Sequence, residues 1–202
     1  MGFFPALSSR NRNVWEFAIR VLAWLGPAFG AWYLLSAAHA RPVAWIAQDL
    51  VNALSRGIVK ALEWKSHVVT MVTDLAIVSE GREGVLTHDL NPLIYTYGSA
   101  LFLALALASR LRFSRILIGL AILIPFHAWG LAFEMLAEIG VKASPQIAAS
   151  AGIVGFKREL VPLGYQLGSL IFPTLVPVLL WAMMGGLREV IPEAFPAKPD
   201  AS

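Results

Sequence analysis

Four stretches of this sequence are apolar over lengths that match the thickness of a lipid bilayer. They cover residues 14–36, 93–109, 115–137 and 163–187. A helix needs about 20 residues to cross a hydrocarbon core of roughly 30 Å, because each residue adds about 1.5 Å. Hydrophobic residues make up 57% of the chain and charged residues 14%, against about 45–50% and about 25% in soluble domains. The sequence therefore predicts an all-α membrane protein of about four transmembrane helices.

The short segments around the last three spans predict how these spans are arranged. Only a basic turn at 110–114 separates the second span from the third, so the two form a tight antiparallel pair. The fourth span contains Pro173 and Pro177, which remove backbone donors and kink a helix. Neighbouring helices are then needed to satisfy the freed carbonyl groups.

The region between the first and second spans, residues 37–92, is long enough to fold outside the membrane. Pro42 suits the first turn of a helix, and apolar residues recur at three- and four-residue spacing as far as Leu62, which predicts an amphipathic helix at 42–63. Residues 67–78 are rich in β-branched side chains, and residues 84–90 can pair with them across the turn at 80–83, which predicts a small β-hairpin at 67–90. An isolated two-stranded hairpin is only marginally stable in water, so we expect it to pack against the helix, the membrane or another protein.

Basic residues predict the orientation of the spans. Their total number is nearly equal on the two sides, but Arg10, Arg12 and the basic turn are concentrated in short segments, whereas the long loops carry balancing acids. We therefore expect the N-terminal residues 1–13 and the tail 188–202 to be cytoplasmic. The region 37–92 and the loop 138–162 then lie on the outer, periplasmic face.

A cleavable signal peptide is the alternative interpretation of the first span. Ala38-His39-Ala40 has the small-x-small pattern that precedes cleavage, here after Ala40. However, the apolar run is longer than a signal core, and Pro42 lies just beyond the candidate site. Trp24, Trp32 and Tyr33 fit the aromatic belt of a retained span. The favoured interpretation is a retained helix.

The composition excludes several kinds of chemistry. The chain has no cysteine, so disulfides, thiolate metal sites and cysteine nucleophiles are excluded. Its basic residues form no aromatic-basic stripe of the kind that binds nucleic acid. No Gly-x-Ser-x-Gly motif or glycine-rich phosphate loop occurs. His39, His67, His88 and His127 are far apart in sequence without metal-ligand spacing, so neither a metal nor a cofactor is predicted.

Two ionisable residues of the third span are candidates for an intramembrane polar site. His127 lies near the middle of the span, and Glu134, seven positions on, shares its helix face with Gly130. An ionisable residue inside a span is a functional hypothesis by default, because exposing it to lipid is costly. The structural alternative is that His127 hydrogen-bonds across a helix interface and that Glu134 is solvated near the outer boundary.

The junction of the outer region with the second span is a candidate partner-binding site. Its sequence is NPLIYTYG, and Asn91, Tyr95 and Tyr97 are the residues that would face a partner. A structural role explains most of the same residues. Asn91 can cap the helix, Pro92 suits its first turn, and the tyrosines fit an interfacial belt.

Three strings of the sequence together carry a family resemblance. They are NPLIYTYG at 91–98, PFHAWG at 125–130 and GYQLGSLIFPTLVPVLLW at 164–181. With this layout of spans, the chain resembles the exosortase H-associated membrane protein family. The resemblance implies a bacterial inner-membrane accessory of an exosortase, the transpeptidase-like enzyme that processes proteins with a C-terminal sorting signal. Exosortases resemble cysteine enzymes that use Cys with Arg and His, and this chain has no Cys.

Three functional hypotheses follow. The favoured hypothesis is a non-enzymatic membrane protein, in contact with lipid and with an exosortase partner through the outer helix, the hairpin and the NPLIYTYG junction. The alternative is a small membrane enzyme or transporter whose polar centre is His127 and Glu134, aided by the charged residues 157–159. A structural subunit of another envelope complex is the third.

Overall fold

A computed structural model of the chain describes residues 9–79 and 82–190, and it describes no side chains at 9–12, 78, 79, 82 and 189. Its first element is a single helix, α1, at Ser9–Leu54, which is 46 residues long. At about 1.5 Å per residue this helix is roughly 69 Å long, about twice what a membrane core requires. One end of α1 must therefore extend well outside the bilayer.

The length of α1 corrects the predicted outer helix at 42–63. Residues 42–54 continue the first span without a break, and 59–63 belong to a strand. Residues 37–40, Ala-Ala-His-Ala, contain nothing that stops a helix, and Pro42 inside α1 removes only one hydrogen bond. The helix ends at Leu54, and Gly57, with φ at 72°, turns the chain into the strand in a conformation that favours glycine.

A three-stranded antiparallel sheet follows α1. Its strands are β1 at Val59–Lys65, β2 at Val68–Ser79 and β3 at Arg82–Leu90, in the order β1-β2-β3. Strands β2 and β3 are the hairpin predicted at 67–90, although residues 80 and 81 of its turn lie outside the described part of the chain. Strand β1 was missed because Ile58 and Leu62 repeat at helical spacing.

The remaining helices are arranged as follows. Helix α2 spans Leu93–Thr96, α3 spans Gly98–Ala108 and α4 spans Phe113–Ala137. A wide π turn at Glu138–Lys142 extends α4, and α5 spans Pro145–Ser150. Helices α6 at Phe156–Gln166, α7 at Phe172–Trp181 and α8 at Leu187–Val190 are joined by π turns at Leu167–Ile171 and Ala182–Gly186.

Three of the helical segments are long and apolar enough to cross a membrane. They are Asn13–Leu54, Phe113–Lys142 and Phe156–Gly186. The predicted second span is not confirmed, because the apolar segment Leu93–Ala108 is shorter than these three and its 16 residues extend only about 24 Å. The described fold is thus mostly helical, and its sheet has three strands where the sequence predicted a two-stranded hairpin.

Two hydrophobic clusters lie at opposite ends of the helix bundle. The larger one joins the end of α1, the sheet and the end of α4, and its centre includes Val43, Val51, Met71, Leu90 and Leu136. The smaller one joins the ends of α3 and α7 to the beginning of α4 around Phe102, Ile116, Leu123 and Trp181. We call these the sheet end and the turn end; the turn end contains the predicted basic turn at 110–114.

Candidate functional site

A pair of histidines connects α1 and α4 inside the bundle. Nε2 of His39 lies 3.1 Å from Nδ1 of His127, and the two rings meet nearly edge to face at 74°. The hydroxyl of Ser99 on α3 lies 3.5 Å from the same His39 nitrogen. A neutral imidazole has one donor and one acceptor nitrogen, so one histidine donates to the other. The pair therefore ties three helices together.

The second ring nitrogen of His127 is unusual for a buried group. His127 is only 1% exposed, and its Nε2 has no hydrogen-bond partner among the described residues. A small cavity of about 100 Å³ lies next to the pair, bordered by His39, Ser99 and Trp32 together with apolar residues of α1, α3 and α4. A space of this size accommodates several water molecules. His39, Ser99 and Trp32 are the polar residues at the edge of this mostly apolar cavity.

An ionic cluster lies further along α4, at the sheet end. His88 of β3 reaches two glutamates: its Nε2 is 4.0 Å from Oε1 of Glu134, and its Nδ1 is 3.8 Å from Oε2 of Glu138. The ammonium of Lys142 lies 2.9 Å from the same Glu138 oxygen. All these groups are partly solvent-accessible. The cluster attaches the sheet to the extended end of α4.

The predicted single polar centre is therefore divided between two places. His127 pairs with His39, whereas Glu134 faces His88. Seven residues of helix separate His127 from Glu134, which is roughly 10 Å along α4. Within the described residues, no three His, Asp or Glu side chains are arranged to hold a metal ion.

The three predicted partner-binding residues have different environments. Asn91 accepts a hydrogen bond from the backbone N–H of Leu93 through Oδ1, at 3.1 Å, so its side chain shapes the entry to α2. Tyr95 is 1% exposed and belongs to the larger core cluster, so its ring packs inside the bundle. Tyr97 is half-buried, so its ring is more accessible than that of Tyr95.

The charged residues at 157–159 lie away from the histidine pair, at the sheet end. Lys157 donates from Nζ to the backbone oxygen of Leu54 at 2.9 Å and so satisfies a carbonyl at the end of α1. Its two neighbours, Arg158 and Glu159, are exposed. The role of Lys157 is thus explained by helix capping.

Sequence reasoning did not identify His39 as a site residue. Its partner lies 88 positions away, and no local spacing links the two. The available signal was indirect: His39 follows Trp32 and Ser36 at helical intervals, and these form a polar row on an otherwise apolar helix. Trp32 donates from Nε1 to Oγ1 of Thr96 at 3.2 Å, so this row faces the other helices.

Comparison with protein families supplies the remaining observation. The sequence model of the exosortase H-associated membrane protein family matches residues 11–186 of this chain. The chain belongs to this family. The match covers the three described segments that are long and apolar enough to span a membrane, and the sheet. The chain is therefore a membrane protein by both family and composition. No curated protein and no solved structure matches it.

Proposed function

We propose that this protein is a non-enzymatic accessory of an exosortase in the bacterial inner membrane, where it supports the processing of proteins with C-terminal sorting signals. The observation that carries the proposal is the family match over residues 11–186, whose description associates these membrane proteins with exosortase H. The absence of cysteine supports a partner rather than a second sorting enzyme. We place both termini in the cytoplasm and the sheet end in the periplasm, because the arginines are concentrated in the short segments at the opposite end.

We place the exosortase-docking surface on the part of α1 that follows the predicted first span. Trp45 is 58% exposed and Ile46 is 40% exposed. They lie nine or more residues beyond the predicted end of the first span at residue 36, which is about 14 Å of helix. If the first span ends at residue 36, as the sequence predicts, Trp45 lies outside the hydrocarbon core. Aromatic residues of this kind are enriched at protein interfaces.

The opposite face of the same helix segment makes this surface rigid. Val43, Ala44, Ala47 and Val51 are completely buried in the larger core cluster. The helix backbone that carries Trp45 and Ile46 is therefore fixed before a partner binds, which reduces the entropy lost on association. Tyr97 is retained as a second contact candidate at the junction with α2.

Co-purification with the co-expressed exosortase tests this proposal. The double substitution Trp45→Ala and Ile46→Ala is expected to lower recovery of the exosortase at least tenfold, because a buried interface tryptophan is a typical hot spot. The matched control is Trp15→Ala with Ile19→Ala, since these residues are 65% and 55% exposed at the other end of the same helix. Equal recovery from all three proteins would contradict the docking surface, and no recovery with the unmodified chain would contradict the partnership.

The histidine pair favours a second candidate, a small membrane enzyme or transporter. Its support is the buried Nε2 of His127, which has no hydrogen-bond partner among the described residues, and the small cavity beside its partner His39. The polar centre then consists of His127 and His39, with Glu134 acting separately at the sheet end. His127→Ala and Glu134→Gln, assayed for sorting-signal processing in cells, distinguish the candidates. Normal processing with both variants favours the accessory role, and loss of processing while the exosortase still co-purifies favours the enzyme or transporter.

A further inference from the structure

A basic cleft opens at the turn end of the bundle, between the first turn of α4 and the break near the end of the last apolar segment. It measures about 490 Å³, which is within the roughly 300–1,000 Å³ of small-molecule sites. Arg115 and Arg188 supply its charges, and no carboxylate is present among its described lining residues. The other lining residues are Ala182, Met183, Met184, Gly185 and Leu187.

The cleft exists because the helix breaks at Gly185. This residue has φ at 97° and ψ at 9°, a left-handed conformation that glycine adopts with little strain. Next to this break, Nη1 of Arg115 donates to the backbone oxygen of Met184 at 2.9 Å. Arg115 is thereby fixed at the wall of the cleft.

Arg115 has further N–H donors that can bind a ligand. A guanidinium group carries five N–H donors, and Arg115 uses one of them on Met184 while its side chain remains exposed. Guanidinium groups match the oxygens of a phosphate in pairs. We propose that this cleft binds the phosphodiester headgroup of an anionic phospholipid, such as phosphatidylglycerol.

The position of the cleft favours a lipid over a soluble phosphate compound. The segments Phe113–Lys142 and Phe156–Gly186, which are long and apolar enough to cross a membrane, begin and end here. If they cross the bilayer, the cleft is level with one headgroup layer. Its wall also contains Met183, which is 85% exposed and provides an apolar surface for the start of an acyl chain. Charged and apolar groups side by side fit an amphipathic ligand, and basic pockets between spans bind anionic headgroups in this way.

Lipid retention by the purified full-length protein tests the proposal. The protein is reconstituted in nanodiscs of phosphatidylcholine with or without phosphatidylglycerol, and bound lipids are counted by native mass spectrometry. We expect retained phosphatidylglycerol with the unmodified chain and roughly fivefold less with Arg115→Gln, since each basic residue near an anionic surface contributes a factor of about that size. Arg112→Gln is the matched control, because Arg112 is an exposed arginine of the same turn that does not line the cleft.

The outcomes separate the possible ligands. Selective loss of phosphatidylglycerol with Arg115→Gln supports the lipid site, whereas equal retention by both variants overturns it. Inorganic phosphate is also added to the protein in phosphatidylcholine nanodiscs. If phosphate protects the protein against thermal unfolding and phosphatidylglycerol does not, the cleft is a free-phosphate site. This result also overturns the proposal. If Arg115→Gln does not fold, Arg115→Lys replaces it. Lysine keeps the charge but lacks the paired N–H donors, so a smaller loss of bound phosphatidylglycerol is expected.

Discussion

His39 and His127 meet at 3.1 Å although 88 residues separate them in the chain, and this contact joins α1 to α4. His127 is buried, with 1% of its surface exposed, and His39 is partly buried. A hydrogen bond in such a place has two consequences. It stabilises one packing of the helices, and the removal of one partner leaves a polar nitrogen without compensation.

The first prediction concerns the loss of one or both histidines of this pair. His39→Leu and His127→Leu are each expected to destabilise the protein by about 1–2 kcal/mol, because each leaves a buried imidazole unpaired. The double variant is expected to lose less than the sum of the two, since no unpaired imidazole remains. Unfolding in mild detergent measures all three free energies. Ile122→Ala, a change at an exposed site of α4, is the control, and strictly additive losses at the histidines would contradict the direct contact.

The second prediction concerns two glycines where helices approach closely. A Cβ at Gly168 would lie 2.6 Å from Cα of Gly130, and a Cβ at Gly130 would overlap the ring of Tyr95. We expect Gly130→Ala and Gly168→Ala to destabilise the protein by about 1–3 kcal/mol each, because overpacking moves backbone and rings. Thermal unfolding measured at fixed detergent concentration tests this expectation.

Gly26 and Gly30 provide the controls for these substitutions. Both lie inside α1, and a Cβ at either would find no atom within 4 Å. Alanine is the better helix former by about 1 kcal/mol, so Gly26→Ala and Gly30→Ala should leave stability unchanged or raise it. A fall in stability of the same size at all four sites would mean that the close helix contacts are not the cause.

The sequence predicted the membrane class well because that class depends on local composition. A run such as 115–137 is apolar throughout, and its helix, at Phe113–Ala137, starts and ends within two residues of the prediction. Strands β2 and β3 were recognisable from their β-branched residues. Each of these features can be read from a short window of residues.

Features that depend on distant residues were not predictable in the same way. The continuity of α1 past residue 36 follows from the packing of Val43 and Val51 against a sheet that a local window does not contain. Strand β1 forms because β2 provides its hydrogen-bond partner, and its helical spacing was misleading. The histidine pair likewise required the three-dimensional arrangement of α1, α3 and α4.

The third prediction concerns the junction between α1 and the sheet. Asn52 binds the backbone of Val59 twice: its Nδ2 donates to the Val59 oxygen at 3.0 Å, and its Oδ1 accepts from the Val59 N–H at 2.8 Å. Asn52→Ala removes both bonds, which should cost about 1–3 kcal/mol. Hydrogen exchange in β1 is expected to accelerate, while exchange in α4 stays the same. Asp49→Ala, at an exposed position one turn earlier, should leave both rates unchanged.

The last prediction tests whether residues 93–109 cross the membrane. Because the chain has no cysteine, a single introduced cysteine is its only thiol. Thr87→Cys is exposed shortly before this segment, and Arg112→Cys is exposed directly after it. Cells whose outer membrane has been permeabilised are treated with a membrane-impermeant maleimide, and labelling is compared before and after the inner membrane is disrupted.

Labelling of Thr87→Cys in intact inner membranes, with Arg112→Cys reacting only after disruption, would place the two sites on opposite faces. The apolar segment Leu93–Ala108, about 24 Å long, would then span a locally thinned or tilted bilayer, as short helices do at modest cost. Equal labelling of both sites would show that the segment enters and leaves by the same face. In that case the protein has three spans, and its two termini lie on opposite sides of the membrane.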